Sequence, residues 1–232
     1  MPDPRDRFIE GNMTKSEVTI SVPGARLLGD LETPVDARGL VIFAHGSGSS
    51  RKSPRNRSVA RALQEGGMAT LLFDLLTPEE EGEEARTGHL RFNIPLLSAR
   101  LVGATQWAAS TATAGQLSVG YFGSSTGAAA ALAAAGQLGE PIRAVVSRGG
   151  RPDLAGEALE KVVSPTLLIV GANDKPVIRL NEEAHSRLRC ERALRIVAGA
   201  THLFEEPGTL ETVTGMAVDW FSSHLGRMGR SS

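Results

Sequence analysis

The sequence predicts an α/β fold, a mostly parallel sheet of about eight strands with helices on both faces. Continuous apolar runs alternate with longer segments of helical periodicity along most of the chain. The runs lack polar alternation, as expected for strands covered on both faces. The 232 residues, 41% of them hydrophobic, suit a single domain over residues 1–232, with its core at about 18–225 and flexible termini.

The first two predicted strands form an antiparallel hairpin at a sheet edge, within residues 18–33. Their sequences, VTISV and ARLLGDLET, meet at a turn containing Pro23 and Gly24. Six further strands are GLVIFAHG, MATLLFD, LSVGYF, IRAVVS, TLLIVG and ALRIVA. Helices are predicted near residues 57–65, 95–110, 154–162, 177–188 and 210–225, with an Ala-rich helix after Gly127.

Residues 77–90 begin with the acidic stretch TPEEEGEEARTGH. Its charge and its lack of apolar side chains favour a solvated loop. Because it follows the strand MATLLFD on the ligand side of the predicted sheet, a lid over the site is the alternative.

Composition argues against several classes of partner. The formal net charge of -1 gives no attraction for nucleic acid or an anionic membrane. The N-terminus carries charges where a signal peptide needs an apolar core, and no run is long enough to span a membrane, so we expect a cytoplasmic protein. The single cysteine, Cys190, excludes an internal disulfide and a cysteine-built zinc site.

The pentapeptide GSSTG at residues 123–127 matches the pattern Gly-x-Ser-x-Gly. A strand leads into it and a helix follows, which is the context of a nucleophile elbow. Ser125 has glycine two residues before and two residues after it, so strand and helix can approach closely around a strained backbone. Ser124 lacks this spacing. The alternative is a tightly packed turn without a reactive serine.

A reactive serine needs a histidine base and a carboxylate that orients the histidine. Asp174 follows the strand TLLIVG and His202 follows ALRIVA, so both lie at carboxyl ends of parallel strands and after Ser125 in chain order. Asp74 is an alternative acid. His45 is an alternative base, although its position before Gly46 favours a role in organising that loop.

The stretch HGSGSS at residues 45–50 follows a strand and allows unusual backbone angles. We assign two oxyanion donors to the backbone N–H groups of Ser47 and Thr126. A phosphate-binding glycine loop is the alternative, but neither Gly-x-Gly-x-x-Gly nor a Gly-Lys-Ser/Thr ending occurs. No metal ion or organic cofactor is implied.

Four motifs in chain order, AHGSGSS, GSSTG, GANDKPV and ATHLF, resemble those of the α/β-hydrolases, specifically the dienelactone-hydrolase-like branch. The resemblance spans about residues 18–225. It implies an α/β-hydrolase fold, a triad of Ser125, Asp174 and His202, and broad esterase activity on a small-molecule ester. Dienelactone hydrolases carry cysteine at the nucleophile position, so their lactone chemistry is not implied here. Residues 148–165 are too few for a large cap domain, which favours small or medium substrates.

Seven further residues are candidates for substrate binding. Arg51, Arg148 and Arg151 would attract a carboxylate or phosphate if they converge, and the alternative is a solvated rim with local salt bridges. Four apolar candidates would line an acyl pocket, although each also suits the core. They are Leu75, Phe92, Leu203 and Phe204.

Two other functions remain open at this point. A noncatalytic binding module could retain the hydrolase scaffold, because a fold does not fix chemistry. The same reactive groups also serve thioesterases, lactonases and peptidases, so the motifs do not rank acyl substrates.

Overall fold

The computed structural model describes residues 7–10, 13–111 and 114–226. Flexibility was expected of both termini, and residues 1–6 and 227–232 lie outside the described part. The strands are β1 (Arg7–Glu10), β2 (Met13–Val22), β3 (Ala25–Pro34), β4 (Gly39–Ala44), β5 (Ala69–Phe73), β6 (Ser118–Ser124), β7 (Ile142–Arg148), β8 (Thr166–Gly171) and β9 (Arg192–Val197). The α-helices are α1 (Pro54–Glu65), α2 (Pro78–Thr87), α3 (Ile94–Ala109), α4 (Thr126–Leu138), α5 (Lys175–Arg187) and α6 (Thr209–His224).

The described strands form one sheet in the order β1-β2-β3-β5-β4-β6-β7-β8-β9. The strands from β5 to β9 in this order are parallel, whereas β1, β2 and β3 pair antiparallel. The predicted fold class is confirmed, and each of the eight predicted strands is present. The short strand β1 adds a ninth at the edge, so the predicted hairpin of β2 and β3 lies one strand further in. The sequence of β1, RFIE, has no apolar run that would have revealed it.

Two apolar cores cover the two faces of the sheet, and β4 shows why its sequence is continuously apolar. Leu40, Ile42 and Ala44 belong to the core under α3 and α4. Val41 and Phe43 point to the opposite core, which α1 and α6 cover. Since successive side chains of a strand point to opposite faces, both sets must be apolar in a strand buried on both sides.

The prediction of a solvated loop over residues 77–90 is wrong, because Pro78–Thr87 form the helix α2. The Thr77 hydroxyl accepts the Glu80 N–H, and the Glu80 carboxylate accepts the Thr77 N–H at 2.8 Å, which makes a capping box. Glutamates in the first turn lie at the positive end of the helix dipole. Gly88 ends the helix in a left-handed conformation. The acidic residues therefore stabilise the N-terminus of α2.

The helix predicted at 154–162 is replaced by two short 3-10 segments within Pro152–Lys161, which meet at Gly156 with φ 56°. Such a backbone angle favours glycine and interrupts regular helix. A separate 3-10 turn, Leu90–Phe92, follows α2. No cap domain is inserted between β7 and β8, as predicted. In the described part of the chain, none of the helices is both long enough and apolar enough to cross a membrane.

Candidate active site

Ser125 occupies a sharp turn between β6 and α4. Its φ of 51° and ψ of -123° are unusual for a residue with a side chain, and holding such a conformation costs about 1–3 kcal/mol. Neighbouring backbone groups hold the turn. The Ser125 N–H donates to the Arg148 carbonyl at 3.2 Å, and the Ser125 carbonyl accepts the Arg151 N–H at 3.1 Å. The predicted elbow geometry is thus present around this serine.

The flanking glycines are required by the close approach of backbone segments. A Cβ on Gly127 would lie 2.2 Å from the Ala44 carbonyl oxygen, and one on Gly123 would lie 2.5 Å from the Ala128 Cα. Both distances are far shorter than van der Waals contact, so only glycine fits at either position. The small residues of GSSTG therefore act as packing residues and at the same time create the elbow.

His202 and Asp174 form a close hydrogen-bonded pair, with 2.6 Å between the His202 Nδ1 and the Asp174 Oδ2. An ionised carboxylate only accepts hydrogen bonds, so Nδ1 carries the proton and Nε2 of a neutral ring is left as the acceptor. The His202 ring lies near the elbow, because its Cε1 is 3.6 Å from the position of a Cβ on Gly149. Gly149 directly follows Arg148, whose carbonyl binds the Ser125 N–H.

The loops that carry Asp174 and His202 are tied to each other and braced by a residue that sequence analysis missed. The Asn173 N–H donates to the Ala200 carbonyl at 2.9 Å. The Glu206 carboxylate accepts the Thr201 hydroxyl at 2.5 Å and the Thr201 N–H at 3.1 Å. The hydrogen bond from the Thr201 side chain lowers the pKa of Glu206. No periodicity in the sequence marks a brace of this kind within a short loop.

The two loops predicted to supply oxyanion donors meet in the structure. The Ser47 Oγ and the Thr126 Oγ1 are 2.9 Å apart and share a hydrogen bond. A Cβ on Gly46 would lie 3.0 Å from the Ser125 Cβ, so the first loop runs directly beside the serine. The Thr126 N–H belongs to the first turn of α4, where backbone N–H groups have no partner within the helix.

His45 organises the first of these loops. Its Nδ1–H donates to the Gly46 carbonyl at 3.0 Å, and the Leu75 N–H donates to its Nε2 at 3.0 Å. The second contact requires the neutral ring, because Nε2 accepts a hydrogen bond only when it carries no proton. Burial lowers the pKa of His45 and thereby favours that neutral form. Both ring nitrogens are occupied, which favours the organising role over that of a base.

The alternative acid, Asp74, is engaged by Arg51 and not by His202. Asp74 accepts the Arg51 N–H at 2.8 Å and the Arg51 Nε–H at 3.0 Å, and Arg51 Nη1 donates to Asp30 at 2.8 Å. This network ties the end of the loop at residues 45–50 to β3 and to the end of β5. It also commits the Arg51 guanidinium to a structural ion-pair network, which was the alternative to its role as a substrate-binding residue.

The remaining substrate-binding candidates fall into different environments. Arg151 is paired through two hydrogen bonds with Asp153, at 2.9 and 2.7 Å. Arg148 is buried, and none of the described acidic residues pairs with it. Two of the apolar candidates, Leu75 and Phe204, are core residues with 1% exposure, and the other two, Phe92 and Leu203, are 55% and 44% exposed. The three arginines therefore do not form one common anion site.

An open groove of about 680 Å³ reaches the loop at residues 45–50. It runs from Ser47 along the start of α1 to Arg55, and Glu81 of α2 lines its other side. Burial raises the pKa of Glu81. The acidic helix thus flanks the groove that adjoins the candidate site.

No protein-family model matches the sequence. Two Mycobacterium tuberculosis proteins, provisionally named phosphoribosyl transferases, are 54% identical over 220 residues. The match covers 95% of this chain and 49% of theirs. The chain therefore spans about half the length of the curated relatives it matches.

Solved structures resemble the whole described fold. A dienelactone hydrolase from Anabaena variabilis is 54% identical, with a TM-score of 0.91 over 93% of this chain and 100% of that one. A carboxyl esterase from the fungus Tuber melanosporum shares the fold at 18% identity, with a TM-score of 0.71 over 93% of this chain and 89% of that one. Given the identity to the Anabaena protein along that protein's entire length, the chain belongs to the dienelactone hydrolase family of α/β-hydrolases.

Proposed function

We propose that the protein is a serine hydrolase that cleaves small-molecule carboxylic esters with small to medium acyl groups. The observation that carries the proposal is the 2.6 Å hydrogen bond between His202 and Asp174 beside the elbow of Ser125. It is the arrangement that a base needs in order to activate a serine. The proposed reaction uses no metal ion or cofactor, and the cytoplasmic location stays a prediction.

In the first half of the reaction, the Ser125 Oγ attacks the ester carbonyl carbon while the His202 Nε2 takes the hydroxyl proton. Asp174 stabilises the resulting imidazolium through Nδ1–H. The N–H groups of Ser47 and Thr126 donate to the oxyanion of the tetrahedral intermediate. The bond to the alcohol then breaks, His202 returns its proton to the leaving oxygen, and an acyl group stays on Ser125.

In the second half, water attacks the acyl carbon and gives its proton to the His202 Nε2. The bond to the Ser125 Oγ breaks, the serine recovers its proton from His202, and the carboxylic acid leaves. In the structure, the Ser125 Oγ forms no hydrogen bond with any described residue. Such contacts often tighten only when the substrate is bound.

Replacing the nucleophile tests the proposal directly. We expect Ser125→Ala to lower kcat for 4-nitrophenyl esters by at least about a thousandfold, because no covalent intermediate can form. A series of increasing acyl length measures the size of the acyl pocket. Full activity in the Ser125→Ala variant would contradict the proposal.

The two aspartates provide matched controls for the acid. Asp174→Asn should lower kcat by roughly 10⁴-fold, because the amide no longer favours the required tautomer of His202. Asp74→Asn should reduce thermal stability and have a far smaller effect on kcat, since Asp74 contacts Arg51 instead. The reverse order of effects would make Asp74 the functional acid.

A noncatalytic binding module on the same scaffold is the competing hypothesis. A fluorophosphonate probe separates the two, because it reacts covalently with an activated serine. Labelling of the wild-type protein that Ser125→Ala abolishes supports a hydrolase. A folded wild-type protein that resists the probe supports the binding module. Thioester and lactone substrates then distinguish acyl classes.

The name of the mycobacterial relatives concerns proteins twice as long as the matched segment. The 220 matched residues make up 49% of those chains. This segment has a hydrolase fold and a candidate serine site, so we infer that the phosphoribosyl transferase name describes the other part of those relatives.

A further inference from the structure

Arg148, at the carboxyl end of β7, is a buried cation that lacks an acidic partner among the described residues. Its side chain is enclosed, with 8% of the residue exposed, and Nη1 is buried without a hydrogen-bond partner. The guanidinium carbon lies 5.9 Å from the ring centre of Phe122. Burial and the nearby charge of Arg55 lower the pKa of Arg148 to about 10, so the group is still charged at neutral pH.

The surroundings of Arg148 contain further unused hydrogen-bond donors. Arg55 pairs with the exposed Glu205 through Nη1 at 2.5 Å, but its Nε is buried without a partner. Ser124, which lies opposite Arg148 on the neighbouring strand, has a buried hydroxyl without a partner. Of these two guanidinium groups only that of Arg55 has a carboxylate partner, and within the described part of the chain three side chains keep an unsatisfied donor.

Contact with Phe122 accounts for only part of this arrangement. An aromatic ring stabilises the face of a guanidinium, but it does not accept hydrogen bonds from the Nη1 edge. It also leaves the Nε of Arg55 and the hydroxyl of Ser124 unpaired. Burying a charge without a partner is costly. Buried polar groups that stay unpaired within a protein therefore often bind a ligand.

The unpaired donors lie next to the candidate active site. Ser124 directly precedes Ser125, and the Arg148 carbonyl accepts the Ser125 N–H. Arg55 lines the groove that reaches Ser47. All of these residues belong to the carboxyl edge of the sheet, where ligands of open α/β folds bind.

We propose that Arg148, Arg55 and Ser124 bind a phosphate monoester group that the ester substrate carries away from its reacting carbonyl. Three donors on three side chains match the three terminal oxygens of such a group, whereas a carboxylate offers two. The charge of the group, close to -2 at neutral pH, balances both guanidinium groups when the exposed Glu205 gives way. The inference rests on the proposed function, because it takes the reacting ester to lie at Ser125.

Phenyl phosphate is a probe for this site, and benzoate is the matching carboxylate. We expect phenyl phosphate to inhibit hydrolysis of 4-nitrophenyl acetate competitively, and benzoate to inhibit more weakly. In Arg148→Gln, the inhibition constant for phenyl phosphate should rise at least about tenfold, as for loss of a charged hydrogen bond. The matched control Arg143→Gln removes an exposed arginine from the same strand and should leave that constant unchanged.

Two results would overturn the inference. One is an inhibition constant for phenyl phosphate that is the same in the wild type, Arg148→Gln and Arg143→Gln. The other is inhibition by benzoate as strong as that by phenyl phosphate, which would show that the site does not prefer a phosphate group over a carboxylate. If Arg148→Gln does not fold, Arg55→Gln alters a partly exposed side chain of the same site and must also raise the constant.

Thermal stabilisation by phenyl phosphate distinguishes this inference from the proposed function. A ligand that binds the folded state raises Tm whether or not the protein turns over an ester. If the protein hydrolyses no ester but phenyl phosphate raises its Tm in an Arg148-dependent way, only the proposed function is contradicted. If the protein hydrolyses neutral esters but phenyl phosphate does not raise its Tm, only the inferred phosphate site is contradicted.

Discussion

Side chains at the carboxyl edge of the sheet divide into those that hold loops and those that stay free to react. His45, Arg51 and Asp74 use their polar atoms on neighbouring backbone and side chains. Among the described residues, the Ser125 Oγ and the His202 Nε2 have no such partner. Because polar atoms that are already paired gain little from a substrate, the free groups are the ones suited to chemistry.

His45 makes the stability of the protein depend on pH. Its folded-state pKa is lowered by burial, so the unfolded chain binds the proton more readily below about pH 6.5. The free energy of unfolding should therefore be fully retained above that pH and fall as the pH drops toward the folded-state pKa. Urea unfolding between pH 5 and 8 measures this slope.

The contribution of His45 is isolated by comparison with a variant. His45→Asn should be less stable at pH 8 and should lose part of the pH dependence. His185→Asn, a substitution on α5, is the control and should keep the wild-type slope. If the slope in His45→Asn equals that of the wild type, protonation of His45 is not its source.

Single residues also show where prediction from the sequence stops. The loops of Ser125, Asp174 and His202 could be predicted to meet, because parallel strands bring their carboxyl ends to one edge. The partners of Arg51 could not, since Asp30 lies on β3 and Asp74 just after β5, separated from it by 21 and 23 residues. The unpaired state of Arg148 is likewise a property of its burial and not of its neighbours in sequence.

Among the helices, α2 depends most on local chemistry at its ends. Its Thr77 cap satisfies one N–H of the first turn, and Glu80 satisfies another in return. The spacing of threonine and glutamate was visible in the sequence, but the acidic composition outweighed it in the prediction. The strands were predicted more reliably, because an apolar run buried on both faces has few other interpretations.

Removing the cap should loosen α2. Thr77→Ala is expected to destabilise the helix by about 0.5–2 kcal/mol, because the Glu80 N–H loses its acceptor. Hydrogen exchange of the α2 amides, read together with Tm, measures the effect. Thr77→Ser keeps a hydroxyl and should exchange almost as slowly as the wild type. Equal exchange in the alanine and serine variants would exclude a role for the cap.

For the molecule as a whole, the core under α1 and α6 stabilises the fold at positions away from the candidate site. Phe221 of α6 is fully buried in the core under α1 and α6, against Gly120 of β6. A Cβ on Gly120 would lie 2.7 Å from the Phe221 ring, so strand and ring are in tight contact. We therefore expect that substitutions away from Ser125 can change stability separately from the proposed activity.

Phe221→Ala should lower the free energy of unfolding by about 3–5 kcal/mol, through lost burial and the cavity that remains. Esterase kcat measured well below Tm should change little, because Phe221 packs against Gly120, five residues before Ser125 on β6. Val35→Ala, at an exposed position, is the control and should leave Tm nearly unchanged. A large loss of kcat in Phe221→Ala at a temperature where it is folded would contradict this separation.

The three residues of the candidate triad are synthesised at different times, because they follow three different strands along the chain. Ser125 follows the central strand β6, Asp174 follows β8, and His202 follows β9, which lies at the free edge of the sheet. Ser125 and Asp174 are thus synthesised before His202, and the candidate base meets them only when β9 pairs with β8. Under the proposed function, ester hydrolysis begins only after that strand has paired, so its onset in a folding experiment would report the docking of β9.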